Sequence, residues 1–254
     1  MKIVLIGAGN VATVLGKLFY NNGYHIVQVL GRHLDTAEML ANQLNCKAVL
    51  SIKDITKEAD LYIIAIPDDA ISGIAEELRL SNNLVVHTAG TLPLKTIDRI
   101  SSDTGIMWPL QSLRKEIKEI PEIPFVIDGN NKGVTEKLKG FLNSVSNSII
   151  VLNDEERIKL HLSAVMVSNF TNHLYTLAQD YCKEYNLPFN FLNPLITETA
   201  LRLNLYKAKD VQTGPSIRGD ITTLTSHLAL LEEHTQLKML YKQFDKSIRE
   251  THSK

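Results

Sequence analysis

Cysteine, tryptophan and excess charge of either sign are scarce in this chain of 254 residues. It contains two cysteines and one tryptophan, and its 27 Lys and Arg residues balance 28 Asp and Glu residues. Cys46 and Cys182 lie far apart in sequence with no metal-binding or redox spacing, so we expect buried thiols in a reducing compartment. A net charge of -1 gives no general attraction to nucleic acid or to an anionic membrane.

Long hydrophobic runs are missing as well. No apolar stretch approaches the ~20 residues that span a bilayer. The apolar run after Met1-Lys2 is too short for a signal peptide, and a glycine turn interrupts it. With 44% apolar residues, the chain can form one large domain or two smaller ones with real cores. We therefore expect a soluble cytoplasmic protein without a metal site.

About thirty residues at the start of the chain form the pattern around which the rest is organised. The unbroken apolar run Ile3–Ile6 predicts a strand of a parallel sheet, buried on both faces. Gly7-x-Gly9-x-x-Ala12 follows at once, and a helical pattern and a second apolar run come next. The order strand, glycine turn, helix and strand is typical of a dinucleotide-binding unit.

Each small residue of this turn has a physical role in such a unit. Gly7 permits the tight turn, Gly9 lets a diphosphate approach the backbone, and Ala12 lets helix and strand pack closely. The free amide groups at the helix start, at Asn10 and Val11, then face the phosphates. The alternative is a glycine turn in an α/β domain that binds nothing.

Strand and helix patterns alternate through residues 1–152 and predict a mostly parallel, doubly wound sheet. After residue 152 the sequence predicts helices alone. Asn153 followed by Glu156 indicates a capped helix start, and this helix should continue as a buried spine to about Asn186. Further helices are expected at about 194–207 and 221–249. We expect a dinucleotide-binding domain at 1–152 and a helical substrate and dimerisation domain at 153–254.

The end of the second strand indicates which coenzyme is bound. NAD-binding units usually carry Asp or Glu there, whereas this chain reads Leu30-Gly31-Arg32-His33. An arginine offers a fork of donors to the extra phosphate of NADP, and such a bond is worth roughly 1.5–3 kcal/mol. Arg32 therefore favours NADP. Its alternative role is that of a solvated surface side chain.

Ligands of open α/β sheets bind beyond the carboxyl ends of the strands, so the loops that follow the strands are candidates for the site. His87 could line the nicotinamide pocket, or it could satisfy the backbone of its own loop. The expected coenzyme contacts in these loops are Ile66, Pro67, His87 and Ala89, and the expected substrate contacts are Thr88 and Trp108.

The helix after residue 153 carries polar residues within apolar surroundings. His161, Ser168 and Asn172 are seven and then four residues apart, so a regular helix would place them on one face, with Asn169 at its edge. We expect His161 to donate a proton, because unperturbed histidine titrates near neutrality. Ser168, Asn169 and Asn172 are the other catalytic candidates. The alternative is a structural hydrogen-bond network.

The loop from Thr213 to Asp220 is also unusual. Its Gly-Pro pair forces a turn, and Asp220 can cap the helix that follows. Arg218 could hold a substrate carboxylate, or it could form a local ion pair with Asp220.

Together these residues resemble a family of Rossmann-like bacterial NADP oxidoreductases with a helical C-terminal domain of uncharacterised function. That family is similar in layout to pyrroline-5-carboxylate reductase, deazaflavin-dependent NADP reductase and the 3-hydroxyacid dehydrogenases. Ser163 stands four residues after Lys159, so the Lys-x-x-x-Asn pair of the last group is absent. The resemblance is carried by Gly7–Ala12, Pro67–Asp69, His87–Thr91, His161 with Ser168–Phe170, Thr213–Pro215 and Arg218–Asp220.

The resemblance implies a nicotinamide site in the N-terminal domain, an all-α C-terminal domain of the 6-phosphogluconate dehydrogenase type, and a homodimer formed through its helices. We expect an NADP-dependent oxidoreductase that transfers hydride between NADPH and a C=O or C=N group of a small metabolite. The alternatives are a non-catalytic NADP-binding sensor or interaction module, and a dimerisation scaffold with a relict fold.

Overall fold

The computed structural model describes residues 1–253. Strands alternate with helical segments as far as Val151, except that the strands Asp103–Pro109 and Phe125–Gly129 have no helix between them, and the described residues from Asp154 onward contain no strand. The strands are β1 (Lys2–Ile6), β2 (His25–Leu30), β3 (Lys47–Val49), β4 (Leu61–Ile64), β5 (Leu84–His87), β6 (Asp103–Pro109), β7 (Phe125–Gly129) and β8 (Ile149–Val151). The α-helices are α1 (Asn10–Asn21), α2 (Leu34–Gln43), α3 (Asp68–Glu77), α4 (Lys132–Leu142), α5 (Asp154–Ala164), α6 (Thr171–Glu184), α7 (Asn193–Leu201), α8 (Pro215–Arg218), α9 (Ile221–Leu230) and α10 (Thr235–His252).

The eight strands form one sheet in the order β3-β2-β1-β4-β5-β6-β7-β8. Every neighbouring pair is parallel except β6 and β7, which are antiparallel. The predicted mostly parallel sheet is therefore confirmed. The strand order reverses between β1 and β4, and ligands of such sheets bind in the crevice at that point.

Strand β1 lies in the middle of the core, as its apolar run predicts. Ile3 and Leu5 pack with residues of α1, α2 and α4 on one face of the sheet. Val4 and Ile6 pack on the other face with residues of α3. All four side chains have no exposed surface, because helices cover the sheet on both sides.

The helix after β8 begins as predicted. The Asn153 side chain accepts a hydrogen bond from the Glu156 amide, and the Glu156 carboxylate accepts one from the Asn153 amide, both at 3.0 Å. A π-helical turn, Val165–Phe170, separates α5 from α6. Its wider turn rotates the residues after it relative to a regular helix, which alters the face expected for Ser168 and Asn172.

The prediction that this helix is a buried spine is wrong for the single chain. Ile158 is 47% exposed, Leu162 57%, Val167 74% and Phe170 59%. Apolar periodicity tells which side chains avoid water, whereas it does not tell whether the same chain covers them.

The chain folds into two compact units, of which the first ends at Asn169 and the second begins at Phe170. The first unit extends beyond the expected boundary after residue 152 because α5 packs into it through Arg157, whose side chain has no exposed surface. The assignment of separate roles to residues 1–152 and 153–254 stays a prediction.

The second unit is helical and has a small core. Among its described apolar residues, Leu224 and Leu231 alone are buried. Asp220 caps α9 as predicted, because its carboxylate accepts a hydrogen bond from the Thr223 amide at 3.0 Å. The single helix expected at 221–249 is broken after Leu230, and α10 begins at Thr235. Just before α10, the ring of His234 packs against the ring of Tyr181, with their centroids 5.1 Å apart.

No helix among residues 1–253 is both long enough and apolar enough to cross a membrane. Cys46 and Cys182 are free and only partly buried, whereas buried thiols were expected. Burial raises the pKa of the Cys46 thiol to about 11, so this side chain is a weak nucleophile at neutral pH.

Candidate functional site

A cavity of about 850 Å³ lies at the carboxyl ends of the central strands of the first unit. The loops after β1, β2, β4 and β5 all reach it, because parallel strands end at the same edge of a sheet. The residues that line the cavity come from these loops, from the helices that follow them and from α5, and include Gly7, Ala8, Gly9, Val11, Arg32, His33, Thr36, Ile66, Pro67, Asp68, Thr88, Ala89, Gly90 and His161.

The two glycines of the first turn differ in what surrounds them. Gly7 has φ of +128°, and a Cβ on it would lie against the Ala65 carbonyl oxygen after β4. Only glycine therefore permits this turn. At Gly9 a Cβ would meet no atom within 4 Å, so the space beside its backbone is open. Gly9 precedes α1, whose first amide groups lack partners within the helix.

Seven of the ten expected coenzyme residues line this cavity, and three do not. The side chain of Asn10 does not line the cavity, and its oxygen accepts a hydrogen bond from the Lys115 amide at 3.2 Å. Ala12 packs in the core, which agrees with the close helix–strand contact expected of it. His87 is buried behind the cavity wall. The seven that line it are Gly7, Gly9, Val11, Arg32, Ile66, Pro67 and Ala89.

Arg32 is exposed at the rim of the cavity, just after β2. His33 and Thr36 line the same part, and the Thr36 hydroxyl donates to the His33 carbonyl at 3.0 Å. His33 is the residue that precedes α2, so a helix start also faces this region. An arginine beside a helix start is suited to a phosphate group.

His87 has no exposed surface and supports the loop after β5. Its Nδ1 accepts a hydrogen bond from the Ala89 amide at 3.3 Å. This is the alternative role considered for His87, in which it binds the backbone of its own loop. Burial lowers the pKa of His87 to about 4, and the positive charge of Arg157 acts in the same direction. His87 is therefore neutral near pH 7.

Arg157 joins α5 to the segment after β5. Its Nε donates to the Gly90 carbonyl at 3.2 Å, and its Nη2 donates to the Leu92 carbonyl at 2.5 Å and to Asp154 at 2.7 Å. Asp154 also accepts a hydrogen bond from the Leu94 amide at 3.1 Å. A buried guanidinium is stable only when it is paired in this way, so these bonds hold the helix and the loop together.

His161 lies one turn after Arg157 and packs on Gly90. A Cβ on Gly90 would lie 2.6 Å from Cδ2 of His161 and 2.9 Å from Cε2 of Trp108, so a side chain there would displace both rings. The ring centroids of Trp108 and His161 are 5.4 Å apart. The Arg157 bonds therefore set where His161 stands relative to the loop.

A second cavity, of about 440 Å³, lies on the other side of His161. Trp108, Ser168 and Asn169 line it, and His161 lines both cavities. Four of the predicted site residues are thus brought together, although the π turn altered the helical spacing on which three of them were chosen. Thr88, expected to contact substrate, lines the first cavity.

Asn172 and Arg218 belong to the second unit, and both are exposed. Their roles stay predictions. Sequence reasoning missed Arg157, because a charged residue in an acidic first helical turn is usually solvated. A signal was available, since Arg157 stands four residues before His161 and so shares its face of α5.

Two family models match the chain. Residues 2–90 match the model described as NADP oxidoreductase, coenzyme F420-dependent. Residues 123–248 match a domain of unknown function, DUF2520. These are the two parts that the motif resemblance implies, so that resemblance is confirmed.

Known proteins of similar sequence or structure agree with these family matches. A Bacteroides fragilis protein, provisionally assigned as an NADP oxidoreductase, is 36% identical; the match covers 98% of each chain with a TM-score of 0.88. Pyrroline-5-carboxylate reductase of Streptococcus pyogenes is 15% identical over 100% of this chain and 99% of its own, with a TM-score of 0.68, which shows a shared fold. Glutamyl-tRNA reductase of Methanococcus aeolicus is 25% identical over 183 residues, 66% of this chain, and the chain spans only 47% of that curated relative.

The buried His87 predicts how stability depends on pH. Its pKa in the folded state, about 4, lies below its ordinary value of 6.5, so the unfolded chain binds more protons between these values. The free energy of unfolding should therefore fall as the pH is lowered through this window, by up to ~3 kcal/mol from this group. Urea unfolding of the wild type and of His87→Gln should show a shallower decline in the variant. The exposed control His25→Gln should follow the wild type, and equal slopes for His87→Gln would contradict the assignment.

Proposed function

The chain belongs to the NADP oxidoreductase family that includes the Bacteroides fragilis protein, and we propose that it transfers hydride between NADPH and a C=O or C=N carbon of a small metabolite. The observation that carries this proposal is the open backbone at Gly9, on a cavity that extends to His161. The name of the Streptococcus relative describes reduction of 1-pyrroline-5-carboxylate, whose ring contains a C=N bond, and this supports C=N groups as acceptors.

The residues present fit a dinucleotide. The amide groups at the start of α1 would bind its diphosphate, which needs the close approach that Gly9 allows. The wall formed by Ile66, Thr88 and Ala89 would hold the nicotinamide end. When bound, the coenzyme supplies the hydride.

The side chains beside His161 would complete the reaction. His161 would donate a proton to the oxygen or nitrogen of the acceptor while the carbon receives hydride. Ser168 and Asn169 are placed to orient the acceptor, because they line the second cavity with Trp108. Asn172 and Arg218 line neither cavity. For Asn172 we propose a polar contact with a ligand, and for Arg218 an interaction with an anionic group of a ligand bound outside the second cavity.

We propose NADP as the coenzyme of this chain, since Arg32 lies at the cavity rim where the adenosine ribose of a dinucleotide would end. We also propose a cytoplasmic location, because the two cysteines are free and show no disulfide spacing.

We propose a homodimer formed through the helical part of the chain. The second unit buries few apolar side chains of its own, while Phe191 is 79% exposed and Leu205 is 78% exposed. In the first unit Leu162 is 57% exposed. Large exposed apolar surfaces of this kind are normally covered by a partner.

Substitutions at the two glycines of the first turn should distinguish an effect on coenzyme binding from an effect on folding. Gly9→Ala should weaken NADPH binding at least tenfold, because the new methyl group occupies the space of the diphosphate. It should cost less than ~1 kcal/mol of stability, since no neighbour is displaced. Gly7→Ala should instead cost about 2 kcal/mol or more in unfolding free energy. Calorimetric titration and urea unfolding measure both, and unchanged NADPH affinity in Gly9→Ala would contradict the binding mode.

Arg32 should set the preference between the two nicotinamide coenzymes. Arg32→Ala should weaken NADPH binding ~10- to 100-fold and change NADH binding by less than ~threefold, because only NADPH carries the additional phosphate. The exposed Arg99→Ala is the matched control and should bind both as the wild type does. An equal loss of affinity for both coenzymes would show that Arg32 does not bind the additional phosphate of NADPH.

His161 should affect catalysis and not coenzyme binding. On an acceptor found by a panel of imines and ketones, with and without a carboxylate, His161→Gln should lower kcat by ~10²- to 10⁴-fold. Its NADPH affinity should stay within ~threefold of the wild type. His25→Gln should keep full activity. An unchanged kcat in His161→Gln would refute the proton-donor role, and NADPH binding without turnover of any acceptor would favour the sensor.

Sedimentation velocity tests the dimer. The wild type should sediment with twice the mass of one chain. Phe191→Glu and Leu162→Glu should shift it toward the monomer, because each places a charge in the buried interface. Met39→Glu, at a residue 60% exposed on α2, should leave the dimer intact. A monomeric wild type would refute the proposal.

A further inference from the structure

The second cavity has a composition that restricts what it can bind. Its volume of about 440 Å³ lies within the ~300–1,000 Å³ of small-molecule sites. Its wall contains the aromatic ring of Trp108 and the aliphatic side chains of Leu110, Leu160 and Val165. Among the residues that the structure describes, no Lys, Arg, Asp or Glu lines it.

The two cations of α5, Arg157 and Lys159, do not line the cavity. Arg157 uses its Nε and Nη2 to bind the Gly90 and Leu92 carbonyls and Asp154. Lys159 pairs with Glu155 at 2.5 Å and is exposed to solvent. Neither side chain is placed to neutralise an anion inside the cavity.

Apart from His161, the polar side chains of the wall carry no charge, and only some of them are available. Gln111 donates to the Glu122 carbonyl and accepts from the Ser112 amide, and the Ser163 hydroxyl donates to the Lys159 carbonyl. The side chains of Ser112, His161, Ser168 and Asn169 make no hydrogen bond within residues 1–253. These four can therefore bind a polar atom of a ligand.

We propose that the second cavity takes an apolar carbonyl or imine compound that carries no carboxylate, phosphate or sulfonate. This inference rests on the proposed reductase function and names the substrate class of its site. The apolar body of the ligand lies against Trp108 and the leucines, and its single polar group meets His161, at the junction with the first cavity. An anionic ligand would lose its hydration and would meet no Lys or Arg as a counter-ion, which is unfavourable.

The fluorescence of Trp108 should report ligand binding directly, because it is the single tryptophan of the chain and lines this cavity. We would titrate the NADP⁺-saturated protein with cyclohexanone and with 4-oxocyclohexane-1-carboxylate, which differ by one carboxylate. The Kd from Trp108 fluorescence should be at least tenfold lower for cyclohexanone. NADPH oxidation should show the same order of kcat/KM.

A cation introduced at the wall of the second cavity should remove its preference against the carboxylate compound. Ser163→Lys adds a positive charge at the cavity wall and should lower the Kd of the carboxylate at least tenfold. Asn147→Lys adds the same charge at an exposed position away from the cavity and should leave both Kd values unchanged.

Equal or tighter binding of the carboxylate by the wild type would overturn the proposal. So would turnover of cyclohexanone without any change in Trp108 fluorescence, or no fluorescence response to either compound up to its solubility limit. A fluorescence response to cyclohexanone without NADPH oxidation by any acceptor would keep the ligand class of the cavity and reject the reductase function.

Discussion

The contact between the turn after β1 and the end of β4 is the constraint on which the site depends. Gly7 can approach the Ala65 carbonyl because it has no side chain, and its amide donates to the Leu30 carbonyl at 2.8 Å. This arrangement brings the carboxyl ends of three parallel strands together and leaves the backbone at Gly9 open. The cavity is therefore a consequence of how the sheet is built, and the loops only complete it.

The second fixed point is the bond network of Arg157. It attaches the first helix after the sheet to the loop that forms the far wall of the cavity, and it lies one turn from His161. His161 is thereby held at the junction of a cavity suited to a dinucleotide and a second cavity, without Lys, Arg, Asp or Glu, that is suited to a small acceptor. The placement of the histidine thus depends on a residue that contacts neither ligand.

Local patterns predicted the parts of the structure that depend on local forces. The buried strand Ile3–Ile6, the glycine turn and the capping of α5 by Asn153 all follow from residues close in sequence. The antiparallel β7, the π turn at Val165–Phe170 and the break before α10 do not, because tertiary packing decides them. The same distinction applies to the site. Asn10 has the sequence position of a coenzyme ligand, and its backbone amide stays a predicted diphosphate ligand, whereas its side chain bonds to Lys115, which is distant in sequence.

A crystal structure of the protein with NADPH bound tests the central claim most directly. The diphosphate should lie against the amide groups at the start of α1, beside Gly9. The nicotinamide ring should lie between Ala89 and His161, with its reactive carbon facing the second cavity. A diphosphate bound elsewhere, or a coenzyme that leaves the space at Gly9 empty, would contradict the proposed binding mode.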